Sequence, residues 1–357
     1  MKQRILKGLG AASLAVALAT TATFAAPKPT FTPLGVPGAQ VWGMSADGSK
    51  LVGLDQASGE YFYWTRAEGV VRIGGGGDAG RVVVSGNGNV IAGTIFDENG
   101  YGVSAKWLGG TDWQPLESIP AAVPCDTSLS SAWGIDFFGQ TLVGLGWLPQ
   151  VCRAHGAVWD LVNGGPATDL GSLVEGSASR ANAISGDGHV IVGWQDSSFG
   201  GRNGARWVDG AGEVILTPAG EYVGEVAATN YDGTAMSGDN YRYGSGTRYA
   251  WVWTAGKGFT QIDSGPIYVY NAVTSMSANG SVVGGVAREP SVGRPRGWIF
   301  RNGKFTWMTE QVIGKKKLAP GWIINAITAI SADGKIMAGE GINPVTKFPE
   351  GFVIENF

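Results

Sequence analysis

The chain has little of the material from which most catalytic and metal centres are built. Of its 357 residues two are Cys and two are His, so metal-ligand clusters and histidine-based proton transfer have few candidates. Charged residues make up 15% and the net charge is -3, which argues against a nucleic-acid groove or a polybasic membrane patch. The basic run Lys315-Lys316-Lys317 reads as a solvated loop. Beyond the N-terminal segment no apolar run is long enough for a transmembrane helix. No Gly-x-Ser-x-Gly elbow is found, and the glycines from Gly74 to Gly77 lack the Lys-Ser/Thr of a phosphate loop, leaving a flexible connection. No cofactor and no metal site is expected.

What the chain has in excess is glycine, 59 residues, and its placement is periodic. About every 48 residues a phrase returns: apolar residues, Ser-x-Asp-Gly-x, more apolar residues and a closing Gly. The seven copies begin at Ser45, Ser85, Asp136, Ser185, Asn230, Ser277 and Ser331, and close at Gly53, Gly93, Gly144, Gly193, Gly238, Gly285 and Gly339. The third position is Asp or Asn except at Phe138. Tight hairpins explain this chemistry: Asp-Gly and Asn-Gly supply positive φ, and Ser bonds back to the turn backbone.

An apolar landmark follows each closing Gly: Trp64, Trp107, Trp159, Trp207, Trp253, Phe300 and Ile354. One such residue per repeat in a fixed slot is expected to fill the gap between neighbouring sheets. A short strand follows it, as at Gly69 to Ile73, Gly212 to Leu216, Phe259 to Ile262 and Phe305 to Met308. Four short strands per repeat predict an all-β fold, a seven-bladed β-propeller of four-stranded antiparallel blades. After Ile354 only three residues remain, so the last blade lacks an outer strand. Phe31-Thr32-Pro33-Leu34-Gly35 matches the outer-strand pattern and is expected to complete it, closing the ring and removing free edges.

Residues 1–26 read as a signal peptide: Lys2, Arg4 and Lys7, an apolar middle from Leu9, and a small-residue exit at Ala25-Ala26. Residues 27–357 then form a single domain, secreted or periplasmic and monomeric. An oxidising compartment favours a disulfide between Cys125 and Cys152, whose positions put both on one face of the third blade. A membrane barrel is disfavoured because the strands are too short to cross.

The core Ala181-Asn182-Ala183-Ile184-Ser185-Gly186-Asp187-Gly188-His189-Val190-Ile191-Val192-Gly193, with Gly204-Ala205-Arg206-Trp207 after it, resembles the HAF-type extracellular repeat family of exported bacterial proteins. The resemblance spans nearly the whole chain after the leader, least well around Asp136. It implies an exported propeller-like protein and brings no catalytic residues with it.

The Ser-x-Asp-Gly side is uniform and short, so recognition is expected on the opposite face, where loops vary. Trp147, Tyr222, Tyr241, Tyr243, Tyr268 and Trp322 lie in or beside those loops, with Arg153, Arg202 and Arg242 nearby. A second candidate is the mouth of the central channel, where the inner strands begin. Arg180 and Glu225 belong to adjacent blades and are expected to meet there, with Arg81 close in angle. The reading is a non-enzymatic protein that binds a protein or glycan. The alternative is a glycan-active hydrolase or lyase with its site at the channel mouth.

Overall fold

The computed structural model describes residues 27–77, 79–120, 122–125, 127–148, 152–198, 201–241, 248–265, 270–288 and 293–357. The leader expected at residues 1–26 lies outside them, as do Tyr243 and Tyr268.

Seven four-stranded antiparallel sheets form a β-propeller. Inner strands are Ala39–Met44, Val83–Val84, Ser130–Ile135, Ser179–Ile184, Glu225–Thr229, Tyr270–Met276 and Ile323–Ile330, which define blades 1 to 7. Each blade continues outward through second, third and outer strands in chain order, except blade 7. There Thr30–Pro37 pairs with Pro349–Glu355 as the outer strand, with Phe31 opposite Ile354 and Pro33 opposite Phe352. The predicted closure is therefore present. Its hydrophobic lock is Phe31, whose ring lies 4.9 Å from that of Trp322 and 5.1 Å from that of Phe352. Trp322 is 7% exposed and belongs to this core. It was expected on the ligand face; it is instead a packing residue, because the ends of the chain meet over it.

The turns work differently from the sequence expectation in one respect. Only the glycine takes positive φ, as at Gly48 (75°); the Asp or Asn before it does not. Asp47 instead accepts hydrogen bonds from the Ser45 hydroxyl (2.6 Å) and the Ser49 amide (2.9 Å). The first-position side chain accepts the amide five residues on in all seven repeats, for example Lys50 to Ser45 at 3.0 Å. Asp136 and Asn230 replace Ser because their oxygens reach the same amide, at 3.1 and 2.8 Å.

The turns also bond to one another. Backbone hydrogen bonds run from Ala46 to Gly86, Gly86 to Asp136, Phe137 to Gly186, Asp187 to Tyr231, Tyr231 to Ala278, Asn279 to Ala332, and Ala332 back to Ala46. They form a closed ring around the axis on the turn face. A cavity of about 190 Å³ lies within it, lined by Met44, Ile135, Phe137, Tyr231, Met276 and Ile330 among others.

The closing glycine has a separate cause. The inner strand carries a β-bulge in blades 1 and 3 to 7, for example between Ala181 and Ala183. The bulge turns one inner-strand carbonyl toward the second strand, so that a Cβ on Gly193 would overlap the oxygen of Arg180. Gly53, Gly144, Gly238, Gly285 and Gly339 meet the equivalent carbonyls of Gln40, Ser131, Glu225, Ala272 and Ala326. Blade 2, with its two-residue inner strand, is the exception: a Cβ on Gly93 would instead lie 2.9 Å from the ring of Tyr61.

The landmark slot fills the gap between blades only in part. Trp64, Trp159, Trp207 and Ile354 are buried, but Trp107, Trp253 and Phe300 are half-exposed. In blades 5 and 6 the fully buried rings are Trp251 and Trp298, two residues earlier on the same strand face. Where that earlier position holds Ala157 or Ala205, the later Trp is buried instead. In blades 3 to 6 the two positions exchange bulk; in blades 1 and 7 both are buried, as Phe62 with Trp64 and Phe352 with Ile354, and in blade 2 Ala105 precedes a half-buried Trp107.

Two further features depart from the sequence expectation. Glu310–Lys315 is a π-helical segment that buries Val312 and brings Lys315 to its last turn. Gly75, Gly76 and Gly77 are closely packed, a Cβ on Gly75 falling 2.9 Å from Tyr61 and one on Gly77 3.1 Å from Thr94. That connection is tight because the glycines let the chain pass against blade 1. Cys125 and Cys152 form the expected disulfide, with Cα atoms 5.1 Å apart; constraining the unfolded chain in this way contributes about 3 kcal/mol. No helix among the described residues is long and apolar enough to cross a membrane.

Candidate binding site at the channel mouth

Inner strands run from the loop face toward the turn face, so their first residues ring the channel mouth. Arg180 and Glu225 meet there as expected: Arg180 Nη2 lies 2.7 Å from Glu225 Oε1. Arg202, first residue of the third strand of blade 4, takes the other oxygen at 2.6 Å. Asn182 bridges the set, accepting from Arg180 Nε at 2.7 Å and donating to Glu225 Oε1 at 2.8 Å. Glu225 is thus hydrogen-bonded on both oxygens. Burial pushes its carboxyl up, but the guanidiniums of Arg180 and Arg202 outweigh that and hold it below its ordinary value.

Indole rings separate the guanidiniums. Arg81 lies 5.3 Å from the centroid of the Trp133 ring and Arg180 lies 3.7 Å from it. Arg180 is also 5.3 Å from Trp194, against which Arg202 packs at 4.2 Å. The order Arg81, Trp133, Arg180, Trp194, Arg202 is a cation–π ladder across blades 2 to 4. It brings like charges together without direct contact. Burial, with repulsion from Arg202 and Arg81, lowers Arg180 to about 10 despite the attraction of Glu225. Arg180 stays charged at neutral pH.

Arg81 differs from the other two. Its guanidinium has no ion pair or hydrogen bond among the described residues, and its side chain is open to water in the channel. It is nevertheless enclosed by the channel wall, and this enclosure lowers its pKa, while Glu225 and Tyr270 from the opposite blades raise it.

A second carboxyl stands behind Glu225. Asp239, paired in register with Glu225 on the second strand of blade 5, is buried. Burial and the neighbouring Glu225 charge push it up to about 7, against the pull of Arg248, 3.4 Å away, and Arg202.

The same face carries a cavity of about 470 Å³ between blades 3 and 4. Arg153, Ser177, Asp196 and Ser197 supply its polar wall, with Cys152 at its edge. Burial raises the Asp196 carboxyl, partly offset by Arg202, so the cavity adjoins the ladder electrostatically. Arg153, like Arg81, has no ion pair or hydrogen bond from its side chain among the described residues.

Those of the expected aromatics whose side chains are described, Trp147, Tyr222 and Trp322, make no ring or hydrogen-bond contact with this constellation. Tyr222 is 52% exposed on the connection into blade 5, where its carbonyl accepts from Asn240 Nδ2 at 3.2 Å. Trp147 lies in the second strand of blade 3, with its indole nitrogen buried, rather than in a loop. Tyr241 closes the second strand of blade 5, and only its backbone is described. Sequence reasoning missed Trp133, Trp194, Asn182 and Asp239. Two signals were available: Trp133 lies two residues beyond Ser131, on the same strand face, and Trp194 directly follows a closing Gly.

No family model matches this chain, and no curated protein matches it. Solved structures resemble it at the level of fold. An oligogalacturonate lyase in complex with manganese is 12% identical, with a TM-score of 0.57 over 92% of this chain and 93% of that one. The β-propeller domain of the Trilobed protease from Pyrococcus furiosus, of open velcro topology, is 15% identical at TM-score 0.53 over 88% and 95%. The propeller domain of Cps50 (Swd1) from Myceliophteria thermophila is 10% identical at TM-score 0.51 over 92% and 99%. These likenesses speak to architecture alone. Unlike the open domain from Pyrococcus furiosus, this propeller is closed by strand pairing between its ends.

Proposed function

We propose that this chain is an exported, non-enzymatic binding protein of the HAF-repeat kind that recognises a glycan or protein ligand through the loop face. The observation that carries the reading is the asymmetry between the two ends of the channel. On the turn face, backbone groups satisfy one another in a closed ring. On the loop face, two guanidiniums have no ion-pair partner among the described residues, Arg81 at the channel mouth and Arg153 in the wall of a polar cavity, and the ladder between blades 2 and 4 is braced by Glu225. Preorganised, incompletely satisfied polar groups in a concavity are what a ligand completes. The disulfide and the lack of a long apolar helix among the described residues are compatible with export. A glycan array on the purified protein, followed by a turnover assay on any hit, tests the reading: binding without turnover supports it.

One observation favours the alternative of a hydrolase or lyase. Glu225 and Asp239 are neighbouring carboxyls whose environments push their pKa values apart, an arrangement used in acid–base pairs. Against it, Glu225 is fully engaged by Arg180, Arg202 and Asn182 and so is poorly placed to accept a substrate proton. Among the described residues no group of three or more His, Cys, Asp or Glu side chains is arranged to hold a metal ion. Turnover of a bound glycan that is lost in Asp239→Asn would establish the enzymatic reading.

A further inference from the structure

We infer that the loop-face site takes an acidic oligosaccharide, a linear glycan bearing carboxylates on its sugar units, with Arg81 and Arg153 as the carboxylate-recognising residues. The inference rests on the binding reading above and names its ligand class.

The argument is one of unmatched charge. Arg180 and Arg202 share Glu225, whose single charge offsets one of their two, and Arg248 lies beside Asp239. Among the described residues neither Arg81 nor Arg153 is paired with a carboxylate, although Glu225 acts on Arg81 across the channel. Both stand at the loop-face ends of strands: Arg81 lies two residues before the inner strand of blade 2, and Arg153 opens the third strand of blade 3. Each supplies one fixed positive charge, and a guanidinium fork matches the plane of a carboxylate through two parallel hydrogen bonds. Two separate single charges suit a ligand with separate single charges, not one compact polyanion.

Arg81 is held ready for this role. Its guanidinium is braced against Trp133, which donates from Nε1 to Ser131 Oγ at 2.9 Å. Its side chain is exposed at the channel mouth beside the Trp133 ring, in a concave setting where an anion feels its charge more strongly than on a flat surface. The chain as a whole is net negative, so this local excess of positive charge is not a by-product of composition.

The cavity beside Arg153 identifies the rest of the ligand as carbohydrate. Among the described residues its wall is built from Ser177, Ser197, Asp196, Ala178 and glycine backbone, without the large apolar side chains of a protein hot spot. Hydroxyls and a carboxylate are instead partners for sugar hydroxyls.

The test is isothermal titration of trigalacturonate and of its trimethyl ester, which keeps the shape and removes the charge, against wild type, Arg81→Gln and Arg153→Gln. Because neither arginine is in an ion pair among the described residues, both variants are expected to melt at the wild-type temperature. The acid should bind, with affinity falling as salt rises, and the ester should bind at least about tenfold more weakly. Each variant should lose at least about tenfold for the acid and little for the ester. Equal binding of acid and ester, or unchanged affinity in both variants, would overturn the inference. Tighter binding of polyglutamate or of a sulfated oligosaccharide than of the uronate would overturn the assignment to carboxylated sugars. If a neutral glycan binds at the loop face while trigalacturonate does not, this inference fails and the binding reading stands. If no array glycan and no protein partner binds, both fail.

Discussion

The carbonyl oxygen of Arg180 occupies the space that a Cβ on Gly193 would need. The same bulge that aims this carbonyl at the second strand starts the inner strand with Arg180 facing the channel mouth. Gly193→Ala is therefore expected to cost more than about 2 kcal/mol, because backbone rather than a flexible side chain must move. Gly188→Ala, at a turn with φ of 82° and no close neighbour but Asp136 Oδ2 at 3.7 Å, is expected to cost about 1 kcal/mol. Urea unfolding followed by tryptophan fluorescence compares the two; a smaller loss at Gly193 would contradict the bulge argument.

Closure of the ring depends on the N-terminal strand. Phe31→Ala removes a half-buried ring from Trp322 and Phe352 and is expected to cost about 2 kcal/mol. Deleting residues 27–40 exposes the edge of blade 7 and removes the start of blade 1, and unfolding should lose its cooperativity. Thermal melts monitored by circular dichroism check this, and an unchanged melting curve would refute the role given to the strand.

Glu225 pairs with two guanidiniums, so its loss should exceed the loss of either partner. Glu225→Gln leaves Arg180 and Arg202 facing each other without a carboxylate, and about 3 kcal/mol of destabilisation is expected. Arg202→Ala leaves Glu225 with Arg180 and Asn182, and should cost about 1 kcal/mol. Chemical denaturation of both variants tests the order, which reverses if Glu225 is only a surface partner.

Asp239 gives the fold a pH dependence of defined sign. Its folded carboxyl titrates near 7 against 3.8 ordinarily, so between these values the unfolded chain has released a proton that the folded chain keeps. Stability therefore falls as pH rises from about 4 to 7 through this group. Asp239→Asn should match wild type near pH 4 and melt higher than wild type at pH 8, by roughly a few degrees. Equal melting temperatures at both pH values would show that the carboxyl is not held protonated.

Blade number, closure and the disulfide were legible because each is written locally: a turn phrase, an outer-strand pattern at the wrong end of the chain, and two cysteines in connections on one face. The Arg180–Glu225 pair was legible because equivalent positions in adjacent repeats are neighbours in a ring. Trp322 was not, since its burial depends on Phe31, nearly the whole chain away. Nor was the ladder, in which Trp133, Arg180, Trp194 and Arg202 come from different strand positions and are joined by side-chain reach rather than by repeat register. The π-helical turn at Glu310–Lys315 breaks the repeat and has no counterpart among the described residues of the other blades from which to read it.

The central claim, that recognition belongs to the loop face and its channel mouth, is tested most directly by hydrogen exchange with the best array ligand bound. The account predicts slowed exchange in the segments around Arg81, Trp133, Arg153 and Arg180, with the turn ring at Gly86, Phe137, Gly186 and Tyr231 unchanged. Protection confined to the turn ring would contradict it.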